Sequence, residues 1–212
     1  MGHTVNVDFP REHCRPNVLV LASVDPDSGK KRLNERWERA FMGHQCDFVE
    51  IDPTCIERED LHEILQDIDG ILLTGGDINV PPHYYGQEAT TSGQNRLWNG
   101  EIPQYPFYDQ RFQVSRYLTD YSKRFEIPLL AVCLGAQEVN VSLGGRLQQS
   151  VDNHLTHHAD CDERWDEPYH DIIIADNGVL AQTFGHAGRV PENSIHKQQI
   201  LNCNRLAQWK FH

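Results

Sequence analysis

Residues 129–145 read LLAVCLGAQEVNVSLGG, and this stretch decides the class of fold. The apolar run from Leu129 to Val132 is typical of a parallel strand that is buried on both faces. Apolar residues then recur at helical spacing after Cys133, and Gly144-Gly145 is a suitable helix stop. The stretch therefore predicts a strand, a sharp turn at Cys133 and a helix.

The rest of the chain repeats this alternation of strand and helix. Short apolar, β-rich runs predict strands at 17–23, 46–52, 71–73 and 170–175. Helical spacing of apolar residues predicts helices at 30–42, 60–67 and 106–125. Residues 78–106 are rich in proline and predict a long irregular segment, which in a compact domain is more often functional than idle. The pattern indicates an α/β protein with a central, mostly parallel sheet.

Length and composition narrow the class of protein. The 212 residues contain no internal repeat or linker, so we expect a single domain over 1–212 with an irregular N-terminal segment at 1–16. A formal charge of −12 argues against binding nucleic acid or an anionic membrane surface. No apolar run is long enough to cross a bilayer, and the polar N-terminus lacks the apolar core of a signal peptide. These features predict a cytoplasmic protein.

The six cysteines are scattered and none forms a C-x-x-C pair: Cys14, Cys46, Cys55, Cys133, Cys161 and Cys203. Without a secretion signal they are interpreted as reduced thiols rather than a disulfide framework. A reduced cysteine can serve as a nucleophile, and the question is which of the six does so.

Cys133 has two interpretations from its neighbours alone. It follows a predicted strand at the sheet edge where α/β proteins bind ligands, and it precedes a helix whose N-terminal N–H groups favour a thiolate. Gly135 would permit the sharp turn that exposes a nucleophile, and the same N–H groups could bind an oxyanion. The alternative is packing, because free cysteine is among the most buried residue types. The residues around Cys133 leave both interpretations open.

Three motifs in order resolve the ambiguity through a family resemblance. AVCLGAQEVNVSLGG (131–145) resembles the nucleophile elbow of class I glutamine-amidotransferase-like proteins. LLTGGDINVPPHYYG (72–86) and NSIHKQQI (193–200) resemble the γ-glutamyl-γ-aminobutyrate hydrolase family of that superfamily. The resemblance covers about residues 17–207. It implies a three-layer α/β sandwich with a flavodoxin-like, mostly parallel sheet.

The resemblance also implies a role for each matching residue. Cys133 would attack the γ-carbonyl of a γ-glutamyl amide and form a thioester that water hydrolyses. The backbone N–H groups of Gly76 and Leu134 would stabilise the oxyanion, Gly76 because a residue without Cβ permits close approach. Residues implied to line the substrate pocket are Gln137, Asn79, His83, Ser194 and His196.

The chain departs from the family pattern where the base is expected. In the family a histidine in a near-C-terminal G-V-Q-x-H-P-E segment accepts the thiol proton, and the printed sequence, which ends RLAQWKFH, does not contain that segment. The expectation is therefore a fold lacking its final strands, with lower stability or a tendency to associate. His212 is not assigned the role. Substitute bases by residue type are His154, His157, His158 and His196.

Three functions and several partners follow as hypotheses. The first is a γ-glutamyl amide hydrolase, the second a glutaminase that supplies ammonia to a synthetase partner, and the third a degenerate relative that keeps only the fold and pocket. We expect a small γ-glutamyl substrate and no cofactor, and a homodimer or a synthetase partner stays open. His154, His157, His158 and Cys161 are zinc-ligand types, but their spacing matches no zinc pattern, so no metal site is predicted.

Overall fold

The structure is a computed structural model that divides into two compact units. It describes residues 15–25, 28–33, 35–43, 46–76, 78–87, 106–149, 170–192 and 198–201. The first unit comprises the described residues up to Thr74 together with Phe107–Val132, and the second those within Gly75–Pro106 and Cys133–His212. The expected single domain stays a prediction, and the two units are described separately.

The first unit contains six strands and three helices among its described residues. The strands are β1 (Asn17–Leu21), β2 (Ser23–Val24), β3 (Lys31–Arg32), β4 (Asp47–Ile51), β5 (Gly70–Leu73) and β6 (Leu129–Ala131). The helices are α1 (Glu35–Gly43), α2 (Arg58–Ile64), which continues as a 3-10 turn over Leu65–Asp67, and α3 (Pro106–Phe125).

A parallel four-stranded sheet forms the core of the first unit. Its order is β4-β1-β5-β6, and Leu19 of β1 lies opposite Val49 of β4 and Ile71 of β5. Leu19, Val20 and Leu21 are fully buried because β1 is a central strand, and each such side chain contributes about 1.5–3 kcal/mol by leaving water. The predicted α/β class with a parallel sheet is confirmed.

The prediction that 129–132 is a strand buried on both faces is wrong. Within the described residues, β6 is the edge strand of the sheet, and Leu130 is 57% exposed. An unbroken apolar run indicates burial only if helices cover both faces of the strand and another strand pairs with each edge. The amino-acid composition of a strand does not determine whether the strand lies at the centre or at the edge of its sheet. The apolar run at 129–132 therefore does not indicate burial here.

Two other elements have boundaries that differ from the prediction. The helix expected from Lys30 begins at Glu35 instead, because Lys31 and Arg32 pair antiparallel with Val24 and Ser23 as β3 and β2. The strand expected over 17–23 is interrupted at Ala22, which separates β1 from β2. The irregular segment at 78–106 contains a 3-10 turn over Pro82–Tyr85.

The second unit contains the helix that follows Cys133. Its elements are α4 (Leu134–Ser142), β7 (Arg146–Gln148), β8 (His170–Ile174), α5 (Val179–Phe184), β9 (Gly188–Glu192) and β10 (Gln199–Leu201). Strand β7 pairs antiparallel with β10, and β8 pairs antiparallel with β9. Most of α4 is buried and it packs against β7 and β10, so this helix is the core of the unit.

Candidate active site

Cys133 lies at a strained turn immediately before α4. Its backbone has φ 52° and ψ −110°, a conformation that L-residues rarely adopt and that costs on the order of 1–3 kcal/mol. The thiol-bearing residue is exposed, which excludes the packing interpretation suggested by its apolar neighbours. An exposed cysteine on a strained turn into a helix has the geometry of a nucleophile elbow.

The N-terminus of α4 offers backbone donors beside Cys133. The N–H of Gln137 donates to the carbonyl of Cys133 at 3.1 Å and closes the first helical turn. The N–H groups of Leu134 and Gly135 point out of the helix end and have no acceptor within the helix. Leu134, predicted as an oxyanion donor, is buried at this position, and its role stays a prediction.

Gly76, the other predicted oxyanion donor, lies in the same unit, just before the described residues 78–87. Gly76 and Asn79 are half-buried, whereas Ile78 and Val80 are buried. His83 is exposed and its ring lies against Tyr84, with centroids 4.2 Å apart. The 3-10 turn Pro82–Tyr85 ends at Gly86, whose φ of 69° requires a residue that tolerates the left-handed region.

Gln198 joins this segment to α4, and the sequence did not single it out. Its side chain accepts a hydrogen bond from Val80 N–H at 2.8 Å and donates one to Val80 O at 2.9 Å. Its own carbonyl accepts a hydrogen bond from the side-chain amide of Gln137 at 3.1 Å. Three motif segments predicted to share a site are therefore connected through one residue. The signal that could have found it was its place within the motif NSIHKQQI (193–200).

Gln137 has a structural bond in addition to its predicted role. It is buried, and its Nε2 donates to the carbonyl of Gln198, directly before β10, so this donor is engaged within the protein rather than with a substrate. The other atoms of the amide remain compatible with substrate binding, and that role stays a prediction. Ser194 and His196 lie outside the described residues, as do His154, His157, His158, Cys161 and His212.

A buried arginine of the first unit holds the strand ends that precede the glycine pair. Arg111 of α3 is fully buried, and its guanidinium donates to Ala22 O and, at 2.8 Å, to Thr74 O. Thr74 Oγ1 in turn donates to Leu21 O at 2.7 Å. These bonds hold the carboxyl ends of β1 and β5 together directly before Gly75-Gly76.

Another concave surface of the first unit contains none of the predicted site residues. An open groove of about 680 Å³ lies between α2 and α3, and its walls include Leu61, Val114 and Tyr117. The guanidinium carbon of Arg58 lies 5.7 Å from the centre of the Tyr117 ring.

Among the described side chains, no group of three or more His, Cys, Asp or Glu residues converges as a metal site would require. None of the helices described combines the length and apolar composition needed to span a bilayer.

Comparison with known families decides the ancestry of the chain. The model of the family Peptidase C26 matches residues 27–208, which is most of the sequence. The chain belongs to the peptidase C26 family. The match includes all three motifs, so the resemblance noted from the sequence is confirmed, and the parallel sheet is the α/β framework expected of this C26 protein.

Relatives of this C26 protein carry names from both expected groups. A γ-glutamyl-γ-aminobutyrate hydrolase of Escherichia coli O157:H7 is 29% identical over 144 residues, covering 65% of this chain and 52% of the relative. A putative glutamine amidotransferase-like protein of Lactococcus lactis is 28% identical over 170 residues, covering 77% of this chain and 62% of the relative. The chain thus spans about half the length of the hydrolases it matches.

Solved structures of glutamine amidotransferases are also similar to this C26 chain. The protein from Thermotoga maritima has a TM-score of 0.49 at 20% identity, with 89% of this chain and 64% of that chain covered. The protein from Methylobacillus flagellatus has a TM-score of 0.47 at 13% identity, with 88% and 57% covered.

Proposed function

We propose that this C26 protein hydrolyses γ-glutamyl amide bonds through a thioester on Cys133. The observation that carries the proposal is the exposed Cys133 on a strained turn, directly before a helix N-terminus. Membership of the family and the names of the hydrolase relatives support the substrate class.

In the proposed reaction the thiolate sulfur of Cys133 attacks the γ-carbonyl carbon, and the carbonyl oxygen becomes an oxyanion. The N–H groups of Leu134 and Gly76 donate to that oxyanion, and one such donor is worth about 10²–10³ in rate. Collapse of the intermediate expels the amine, which takes up a proton, and leaves a γ-glutamyl thioester. Water then attacks the thioester, and glutamate and the free thiol are released. The proton that the thiol loses on forming the thiolate is balanced by the proton that the amine takes up, and the attacking water supplies the proton that restores the thiol.

Covalent labelling tests the role of Cys133 directly. A γ-glutamyl diazoketone places an electrophilic carbon where the scissile carbonyl would lie, and intact-mass and peptide analysis would locate the adduct. Wild type should be labelled once, at Cys133, and Cys133→Ala should not be labelled. Cys55→Ala is the matched control, because Cys55 is also exposed, and desolvation together with nearby Asp52 raises the pKa of its thiol. Labelling that persists in Cys133→Ala at the wild-type rate contradicts the proposal.

A glutaminase is the second candidate, because two relatives are named as putative glutamine amidotransferases. Release of glutamate from γ-glutamyl-γ-aminobutyrate and from glutamine would be measured side by side, with Cys133→Ser as the blank. Hydrolysis of the first substrate alone supports the hydrolase. Turnover of glutamine alone, appearing only with a synthetase present, supports the glutaminase. Labelling of Cys133 without turnover of either substrate supports a degenerate relative.

A further inference from the structure

Gln198 is buried between two segments that hold predicted site residues. It is 1% exposed, and its carboxamide pairs with both the N–H and the C=O of Val80, at 2.8 and 2.9 Å. A neighbouring β-strand would form the same two hydrogen bonds with the backbone of Val80. The Gln198 side chain therefore takes the place of a strand partner for this residue. Its Nε2 also lies 3.4 Å from the hydroxyl oxygen of Tyr85.

The segment held by Gln198 has little other regular structure to hold it. Over residues 78–87 the described backbone forms a 3-10 turn and no strand. Val80 is fully buried and Tyr85 is nearly so, so their polar groups need partners within the protein. Asn79 is adjacent to Val80, and Gly76 lies four residues before it. Movement at Val80 would therefore displace the backbone that carries both predicted site residues.

The backbone of Gln198 holds the nucleophile helix at the same time. Its carbonyl accepts the hydrogen bond from Gln137 Nε2 at 3.1 Å, and Gln137 lies one turn after Cys133 in α4. Strand β10 begins at the next residue and pairs with β7, which packs against α4. Gln198 is thus tied to α4 by its backbone and to the segment at Val80 by its side chain.

We propose that Gln198 is a positioning residue that holds Gly76 and Asn79 in register with the helix that follows Cys133, so that both sides engage the γ-glutamyl end of one substrate. The inference rests on the proposed function. It requires an amide specifically, because the side chain must accept from Val80 N–H and donate to Val80 O together. Gln198 acts through these segments and has no contact with substrate in the proposal.

Two substitutions at 198 separate this role from simple loss of fold. Gln198→Met keeps the length of the side chain but leaves Val80 N–H and C=O without partners. Gln198→Glu keeps the acceptor for Val80 N–H and loses the donor while ionised. Gln199→Met is the matched control, because Gln199 is adjacent and exposed on β10.

We expect Gln198→Met to lower kcat/KM for γ-glutamyl-γ-aminobutyrate by at least about tenfold, because it removes both buried hydrogen bonds to Val80. Displacement of Asn79 should raise KM, and displacement of Gly76, a proposed oxyanion donor, should lower kcat. Gln198→Glu should show a similar defect at pH 8 that shrinks as the pH falls and the protonated carboxyl regains a donor. Gln199→Met should match wild type. Equal kcat/KM values for Gln198→Met and Gln199→Met, with folding verified by circular dichroism, would overturn the proposal.

Hydrogen exchange tests whether Gln198 holds the backbone at Val80, and this measurement does not depend on catalytic activity. The Val80 amide should exchange about tenfold faster in Gln198→Met than in wild type, while the amides of β1 keep their protection. Unchanged exchange at Val80 overturns the proposal. A wild-type chain that is neither labelled nor active removes the proposed function, and the exchange result at Val80 would still decide whether Gln198 holds the segment.

Discussion

Arg111 and Gln198 show what single buried polar side chains do in this protein. Each is almost completely buried, and each satisfies backbone groups that no regular element pairs. Arg111 lies in none of the quoted motifs, and Gln198 lies within NSIHKQQI (193–200) without being one of the predicted site residues, so sequence reasoning passed over both. Their importance follows from the cost of a buried polar group without a partner, which is about 1–3 kcal/mol for each group.

Arg111→Met is expected to destabilise the protein by about 2–4 kcal/mol. The substitution leaves the carbonyl oxygens of Ala22 and Thr74 without the charged donor that now binds them. Urea unfolding at constant m-value measures the change. Arg116→Met on the same helix is the control, because Arg116 is exposed and its loss should cost less than about 0.5 kcal/mol. Equal unfolding free energies for the two variants would contradict this account.

Tyr85 should lose its proton at a higher pH than an ordinary tyrosine, and the stability of the folded protein should therefore fall at high pH. Burial raises its pKa to about 12, opposed by the hydrogen bond from Gln198. The neutral phenol is favoured in the folded state, so its contribution to stability is complete below about pH 10 and is lost as the pH rises towards 12. Absorbance titration should show a late phase that Tyr85→Phe removes. If the late phase survives in Tyr85→Phe, the assignment is wrong.

At the scale of elements, local sequence predicted helices better than strands. Helices α3 and α4 appear at the expected positions because apolar spacing, and for α4 the glycine pair at 144–145, act within a few residues. Strand β3 was missed because it exists only through pairing with β2. The position of β6 at the edge of the described sheet was missed for the same reason, since pairing is not a local property.

The glycine pair that ends α4 should be intolerant of a side chain. Gly144 has φ 81°, and a Cβ on Gly145 would collide with the amide of Asn140, which donates to Arg146 O at 3.1 Å. Gly145→Ala should cost about 1–3 kcal/mol by this overlap. Gly43→Ala at the end of α1 is the control, because no atom lies within 4 Å of its Cβ position.

The double variant Asn140→Ala/Gly145→Ala identifies the cause. In the Asn140→Ala background the collision is absent, so the further cost of Gly145→Ala should fall by at least about 1 kcal/mol. Chemical unfolding of the four chains of the cycle measures this coupling. Strictly additive costs would show that the Asn140 amide is not the obstacle.

At the scale of the whole molecule, net charge and exposed apolar surface have opposite effects on self-association. The formal charge of −12 at pH 7 keeps molecules apart. Large apolar side chains are nevertheless exposed in the second unit, among them Ile173, Leu180 and Phe184. Removing the charge should therefore leave an apolar surface that favours association.

Lowering the pH from 7.5 to the sequence pI of about 5.4 should raise light scattering strongly. Returning the sample to pH 7.5 should reverse the effect, because the cause is charge rather than unfolding. The variant Leu180→Ser/Phe184→Ser should scatter less at pH 5.4, since both side chains lie on exposed positions of α5. Equal scattering at both pH values would contradict the expectation that net charge prevents association through the exposed apolar side chains.

The sequence by itself determined the α/β class, the family and the turn at Cys133. Each of these depends on patterns that are present along the chain before it folds: apolar spacing, a glycine two residues after Cys133, and motifs in a set order. Only the tertiary structure decided that Cys133 is exposed, that β6 lies at the edge of the described sheet, and that Arg111 and Gln198 bind distant backbone. The reason is physical, because Gln198 and Val80 lie 118 residues apart and their bonds arise only after the chain has folded.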